Sequence, residues 1–130
     1  MNKLLRNALA LGVALSMAVG PAVAAQSLGM YQTEDRKMDF ELILCGQDET
    51  NMCVKLLDAR GSAKRPRVVR MFGKYLVDNA RPAGPNKWKG SVTYAGYTMN
   101  GTLTLTPDKF QMAGCVYIVI CEDLTLIPAE

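Results

Sequence analysis

The chain contains no histidine. Imidazole bases and His-ligated metal sites are therefore excluded. Ser-His-Asp and Cys-His arrangements go with them. Strong charge of either sign is also lacking: 15 Lys and Arg stand against 12 Asp and Glu. A near-neutral domain is not a general nucleic-acid binder. No apolar run reaches the roughly 20 residues that a spanning helix needs. Internal repeats, low-complexity tracts and a sustained 3.6-residue periodicity beyond residue 25 are missing too.

The N-terminus carries what remains of long apolar sequence. Met1-Asn2-Lys3-Leu4-Leu5-Arg6 is basic and free of acid, and an apolar run of about 12 residues follows, Ala8 to Val19. Gly20-Pro21 and the small residues Ala22-Val23-Ala24-Ala25 come next. This is the pattern of a secretory signal cut after Ala24 or Ala25. The expected organisation is a signal over 1–25 and one domain over 26–130. Removing Lys3 and Arg6 leaves 13 bases against 12 acids, a net charge of +1. No cysteine stands at the cut, which argues against a lipid-anchored mature form. A periplasmic location is expected, with no membrane span in the mature chain and no nucleic-acid partner.

Four cysteines fall in the mature part: Cys45, Cys53, Cys115 and Cys121. An even count in a small exported domain reads as two disulfides. Three pairings are possible. The spacings of eight and six residues suit two local clasps, Cys45–Cys53 and Cys115–Cys121. The rival, a zinc site, needs tighter ligand spacing and a reducing compartment. No metal or cofactor is expected.

The remaining pattern is strands. Met38-Asp39-Phe40-Glu41-Leu42-Ile43-Leu44 alternates, which places Met38, Phe40, Leu42 and Leu44 on one face. Cys53–Leu57, Val68–Phe72, Tyr75–Val77, Thr102–Thr106 and Lys109–Ile120 read as further strands, and Leu124, Leu126 and Pro128 close the chain. Turn signals separate them at Arg60-Gly61-Ser62, Pro82-Ala83-Gly84-Pro85-Asn86, Ala95-Gly96 and Thr106-Pro107-Asp108. Asn100-Gly101 is a strong hairpin signal but follows Ala95-Gly96 by only five residues. One of the two must be a kink inside a strand. About eight strands suffice to close a sheet. The expected fold is all-β, a small closed or nearly closed antiparallel barrel.

Candidate functional residues are few. Asp48-Glu49 and Glu122-Asp123 are adjacent carboxylates, but strand neighbours point to opposite faces, so neither pair makes a catalytic dyad. They read as solvated charge, and no enzyme is expected. Tyr31, Trp88, Tyr94 and Tyr97 could line a pocket and orient a ligand through their polar tips. Arg60, Lys64, Arg65, Arg67, Arg70 and Lys74 form a basic stretch with no acid between Asp58 and Asp78. Such a patch suits an anionic envelope component, whether glycan, lipid head group or protein. The methionines outside the signal are scattered singly, as packing residues are.

Gly29-x-Tyr31, Cys45-Gly46 with Cys53 a short loop later, Trp88-Lys89-Gly90, Gly96, the Thr102–Thr106 strand and Gly114-Cys115 occur in an order that resembles the exported bacterial family called domain of unknown function 2147. Gly29-Met30-Tyr31 is also similar to the Gly-x-Trp opening of lipocalin-like barrels, with Tyr for Trp. The resemblance implies a small exported barrel of the lipocalin/streptavidin kind. It supplies no catalytic residue. Cys121 is an addition to the family's pattern, and the last strand lacks its aromatic and Arg ending. A small, partly apolar ligand in the barrel mouth is the leading expectation for function. An envelope partner on the basic 60–74 segment is the alternative.

Overall fold

Alternation of apolar and polar residues builds the wall of this molecule. The computed structural model describes residues 25–94, 96–117 and 120–129. The expected signal segment, Ala25 apart, lies outside the described residues. The strands are β1 (Gln26–Thr33), β2 (Met38–Cys45), β3 (Asn51–Ala59), β4 (Tyr75–Gly84), β5 (Lys87–Tyr94), β6 (Tyr97–Thr106), β7 (Lys109–Tyr117) and β8 (Ile120–Pro128). Each pairs antiparallel with the next, and β8 returns to β1. The result is a closed, eight-stranded, up-and-down barrel. Closure leaves no free sheet edge where the ladder is complete. The seam is short: among the described residues Tyr31–Pro128, Gln32–Ile127 and Thr33–Leu126 are in register across it, and the Ala129 N–H adds a bond to the Met30 carbonyl.

The inner face of β2 carries Met38, Phe40, Leu42 and Leu44, as the alternation predicts. Met52, Val54 and Leu56 of β3, Leu103 of β6, Phe110 and Met112 of β7, and Leu126 of β8 join them in one core cluster. Side chains therefore occupy most of the interior. Tyr31 meets Phe110 edge-on, with ring centroids 6.5 Å apart.

Three sequence expectations need correction. Val68–Phe72 is not a strand. Pro66–Val69 is a four-residue helix, α1, followed by a turn. Pro66 sits in its first turn, where the missing N–H costs nothing and φ is already helical. Val68 is the one residue of α1 that is buried, as a plug over the barrel end. The segment 82–86 is not all loop, because β4 runs through Gly84. Pro82 lies beyond the β3–β4 ladder, which ends at Met52–Ala80, so on that side no strand needs an N–H from it. Lys109–Ile120 is not one strand either, since β7 ends at Tyr117 and β8 begins at Ile120.

The two competing glycine turns resolve cleanly. Tyr94 pairs with Tyr97, so the hairpin reverses between them, with Gly96 at φ +92°. Asn100-Gly101 lies inside β6, where Gly90, Gly101 and Gly114 pair in a row across three strands. A Cβ on Gly101 would fall 2.6 Å from Val92 Cγ2, so the wall curves there only because the side chain is absent.

Both local disulfides form, Cys45–Cys53 and Cys115–Cys121. All four sulfurs are thereby used, and the zinc alternative falls away. Disulfides of this kind are consistent with an exported protein. Among the described residues no helix is long and apolar enough to cross a membrane.

Candidate binding site at the capped end

One end of the barrel is covered by the segment 60–74, which holds a 3₁₀ turn at Gly61–Ala63 and α1. Its two ends are tied down. Arg60 forks onto Asp39 with Nη1–Oδ2 2.7 Å and Nη2–Oδ1 2.8 Å, and Nη2 also donates to the Arg36 carbonyl at 2.7 Å. Lys37 Nζ donates to Ser62 Oγ at 2.8 Å. At the far end Gly73 N–H donates to the Leu56 carbonyl at 2.7 Å, and Leu56 N–H returns to the Lys74 carbonyl at 3.0 Å. The cap is therefore anchored on β2 and β3, and α1 crosses the mouth.

Arg60 is thus a structural member of the basic stretch. Its bonded guanidinium holds the Asp39 carboxyl below its ordinary value. A carboxyl lowered on folding stabilises the fold above its unfolded pKa, and that contribution is lost as pH falls through the folded value. Both partners are partly exposed, so the pair belongs in the surface range. Arg60→Ala is expected to lower the urea midpoint slightly at pH 7, as loss of a surface pair does. The difference from the parent should shrink well below about pH 4, where Asp39 is protonated in both chains and the bond to the Arg36 carbonyl remains. Urea midpoints at neutral and strongly acid pH check this.

The other basic residues are placed differently. Arg65, Arg67 and Arg70 line an open groove of about 630 Å³ together with Pro66, Val68, Tyr94, Tyr97 and Glu122. Lys64 and Lys74 are exposed and do not line it. Beneath the groove lies a narrower cleft of about 110 Å³ inside the mouth. Leu76, Val92, Met99, Met112 and Leu124 form its apolar walls, with Gly114 at one side. Tyr94 and Glu122 line both spaces, so the two meet there. The Tyr94 hydroxyl donates to Met38 Sδ at 3.7 Å. Tyr97 is 58% exposed at the hairpin tip.

The four aromatic candidates do not form one group. Tyr94 and Tyr97 flank the mouth. Tyr31 is buried in the core beside Phe110. Trp88 is buried near the opposite end, where its Nε1 donates to the Thr50 carbonyl at 2.8 Å and holds the β2–β3 loop.

Glu122 is the site residue that the sequence reading passed over as solvated charge. Its register partner is Gly114, on the inner face, and it keeps phase with Leu124 and Leu126. It therefore faces the mouth. That phase was visible in the sequence: Glu122, Leu124 and Leu126 alternate. Asp123 has the opposite phase and is exposed, although it too borders the cleft. Among the described residues neither Glu122 nor Arg65, Arg67 or Arg70 makes an ion pair.

The geometry defines a small antiparallel barrel with a filled interior and one partly open, mixed-polarity end. Compared with known proteins, the chain matches no family model, no curated protein and no solved structure.

Proposed function

We propose that this is a non-enzymatic binding barrel of the periplasm, which takes a small, partly apolar ligand at its capped end. One observation carries the reading: the apolar cleft opens through Tyr94 into a groove with three arginines. A filled interior supports binding at the mouth, not deep within the barrel. Pockets that bind small molecules pair apolar walls with a few placed polar groups, and this end has both. The envelope-partner reading draws on the same arginines, but it leaves the apolar cleft without a role. The resemblance to domain of unknown function 2147 belongs to this proposal and supports export, not a particular ligand.

Methionine-methyl NMR tests it. Met99 and Met112 line the cleft, while Met52 is sealed in the core. Isoamyl alcohol is expected to bind with millimolar affinity, worth about 4 kcal/mol. It should shift the Met99 and Met112 methyls and leave Met52 in place. No shift at Met99 and Met112, or equal shifts at all three, overturns the reading.

A further inference from the structure

The mouth has walls of opposite charge with nothing joining them. Glu122 faces the mouth from β8, and Arg65, Arg67 and Arg70 stand on the cap across the groove. Among the described residues no Glu122–arginine pair comes within 4.0 Å. An anion alone would meet the arginines but also the Glu122 carboxylate. A cation alone would meet the reverse. A molecule carrying both charges satisfies each wall.

We infer that the ligand is a small zwitterion with an aliphatic side group, an apolar amino acid or short apolar peptide, whose ammonium sits on Glu122 and whose carboxylate sits on the cap arginines. This rests on the mouth-binding reading above and narrows it to one chemistry. The arginine fork is suited to a carboxylate, which it can grip with two parallel bonds. Tyr94 and Tyr97 stand beside the charges and offer hydroxyls. The cleft sets the tail. An apolar cavity of about 150 Å³ takes up benzene. At about 110 Å³ this one suits a short branched alkyl group and excludes a long acyl chain. Leu76, Val92, Met99, Met112 and Leu124 supply apolar contact on its sides.

Four probes with related tails separate the terms: L-leucine, L-leucylglycine, 4-methylpentanoate, which lacks the ammonium, and isoamylamine, which lacks the carboxylate. Each is titrated into the intact mature protein while the Met99 and Met112 methyls are followed. At least one zwitterion is expected to bind about tenfold more tightly than either singly charged analogue. Whichever of leucine and leucylglycine binds more tightly identifies the source, and either result supports the inference. Glu122→Gln should reduce the zwitterion's affinity to that of 4-methylpentanoate. Asp123→Asn should change it less than twofold. The triple variant Arg65→Gln, Arg67→Gln, Arg70→Gln should reduce it to that of isoamylamine. All these positions are exposed, and an unmoved Met52 methyl verifies that each variant folds. Equal binding of L-leucine, L-leucylglycine and 4-methylpentanoate overturns the inference and leaves mouth binding standing. Methyls unmoved by all four probes and by isoamyl alcohol overturn both.

Discussion

Phe110→Ala should sharply lower the stability of this barrel. The ring is fully buried on the inner face of β7. Its register partners are Leu105 of β6 and Leu126 of β8, and Tyr31 of β1 meets it edge-on. It therefore packs across the β8–β1 seam, where the ladder is short among the described residues. A buried Phe→Ala change costs about 3–5 kcal/mol. That is a large part of the roughly 5–15 kcal/mol that a native domain has in reserve. At about 4 °C per kcal/mol, Tm should fall by roughly 12–20 °C. The seam should suffer first. Amide exchange at Ala129, whose N–H donates to the Met30 carbonyl at 2.9 Å, should accelerate more than exchange within the fully paired β2–β3 ladder. Uniform acceleration across the barrel would show that Phe110 supports the whole core equally.

The Cys45–Cys53 bridge should be the more costly disulfide to remove. It spans the turn that joins β2 to β3 and lies against Ile43 on the outer face. Cys45 is 8% and Cys53 3% exposed. Cys53 Sγ also accepts the Asn79 backbone N–H at 3.3 Å. Cys45→Ala with Cys53→Ala releases a constraint on the unfolded chain and leaves that N–H without its acceptor. The expected loss is about 2–4 kcal/mol. Cys115–Cys121 also closes a short loop, but Cys121 is exposed on the outer wall. Mild reductant followed by alkylation and peptide mapping should therefore label Cys115 and Cys121 first. Simultaneous labelling of all four would mean that burial does not protect the first bridge.

The cap should behave as a separate unit on the barrel rim. Arg60 and Lys37 fix one end, and the Gly73–Leu56 hydrogen bond fixes the other. Of the cap, Val68 is buried in the core, and Ala63, Met71 and Phe72 are partly buried against it. Substitutions at Arg65, Arg67 and Arg70 should thus alter binding with little effect on stability, whereas the Arg60–Asp39 pair is the stability element of the basic stretch. One run of basic residues divides into two physical roles.

Much of the architecture follows from the sequence alone. Alternation placed Met38, Phe40, Leu42 and Leu44 on the inner face, because a strand has a period of two and one face must leave water. Spacing favoured two local disulfides, because short loops close most readily. Strand count and turn density pointed to a closed antiparallel sheet. The locations of Gln26–Thr33 and Lys87–Tyr94 were less legible: Gly29 and Gly90 interrupt them, and their apolar positions are sparse. The short helix at Pro66–Val69 was hidden because Val68 and Val69 look like strand residues, and only the demand for a plug at the barrel end decides otherwise. The division of the aromatics, with Tyr94 and Tyr97 at the mouth and Tyr31 and Trp88 in the core, depends on register and on which end each strand reaches. So does the meeting of Glu122 with Arg65, Arg67 and Arg70, which stand more than 50 positions away in the chain. Local pattern sets which face a residue takes. Closure of the barrel, a contact between the first strand and the last, decides what it faces.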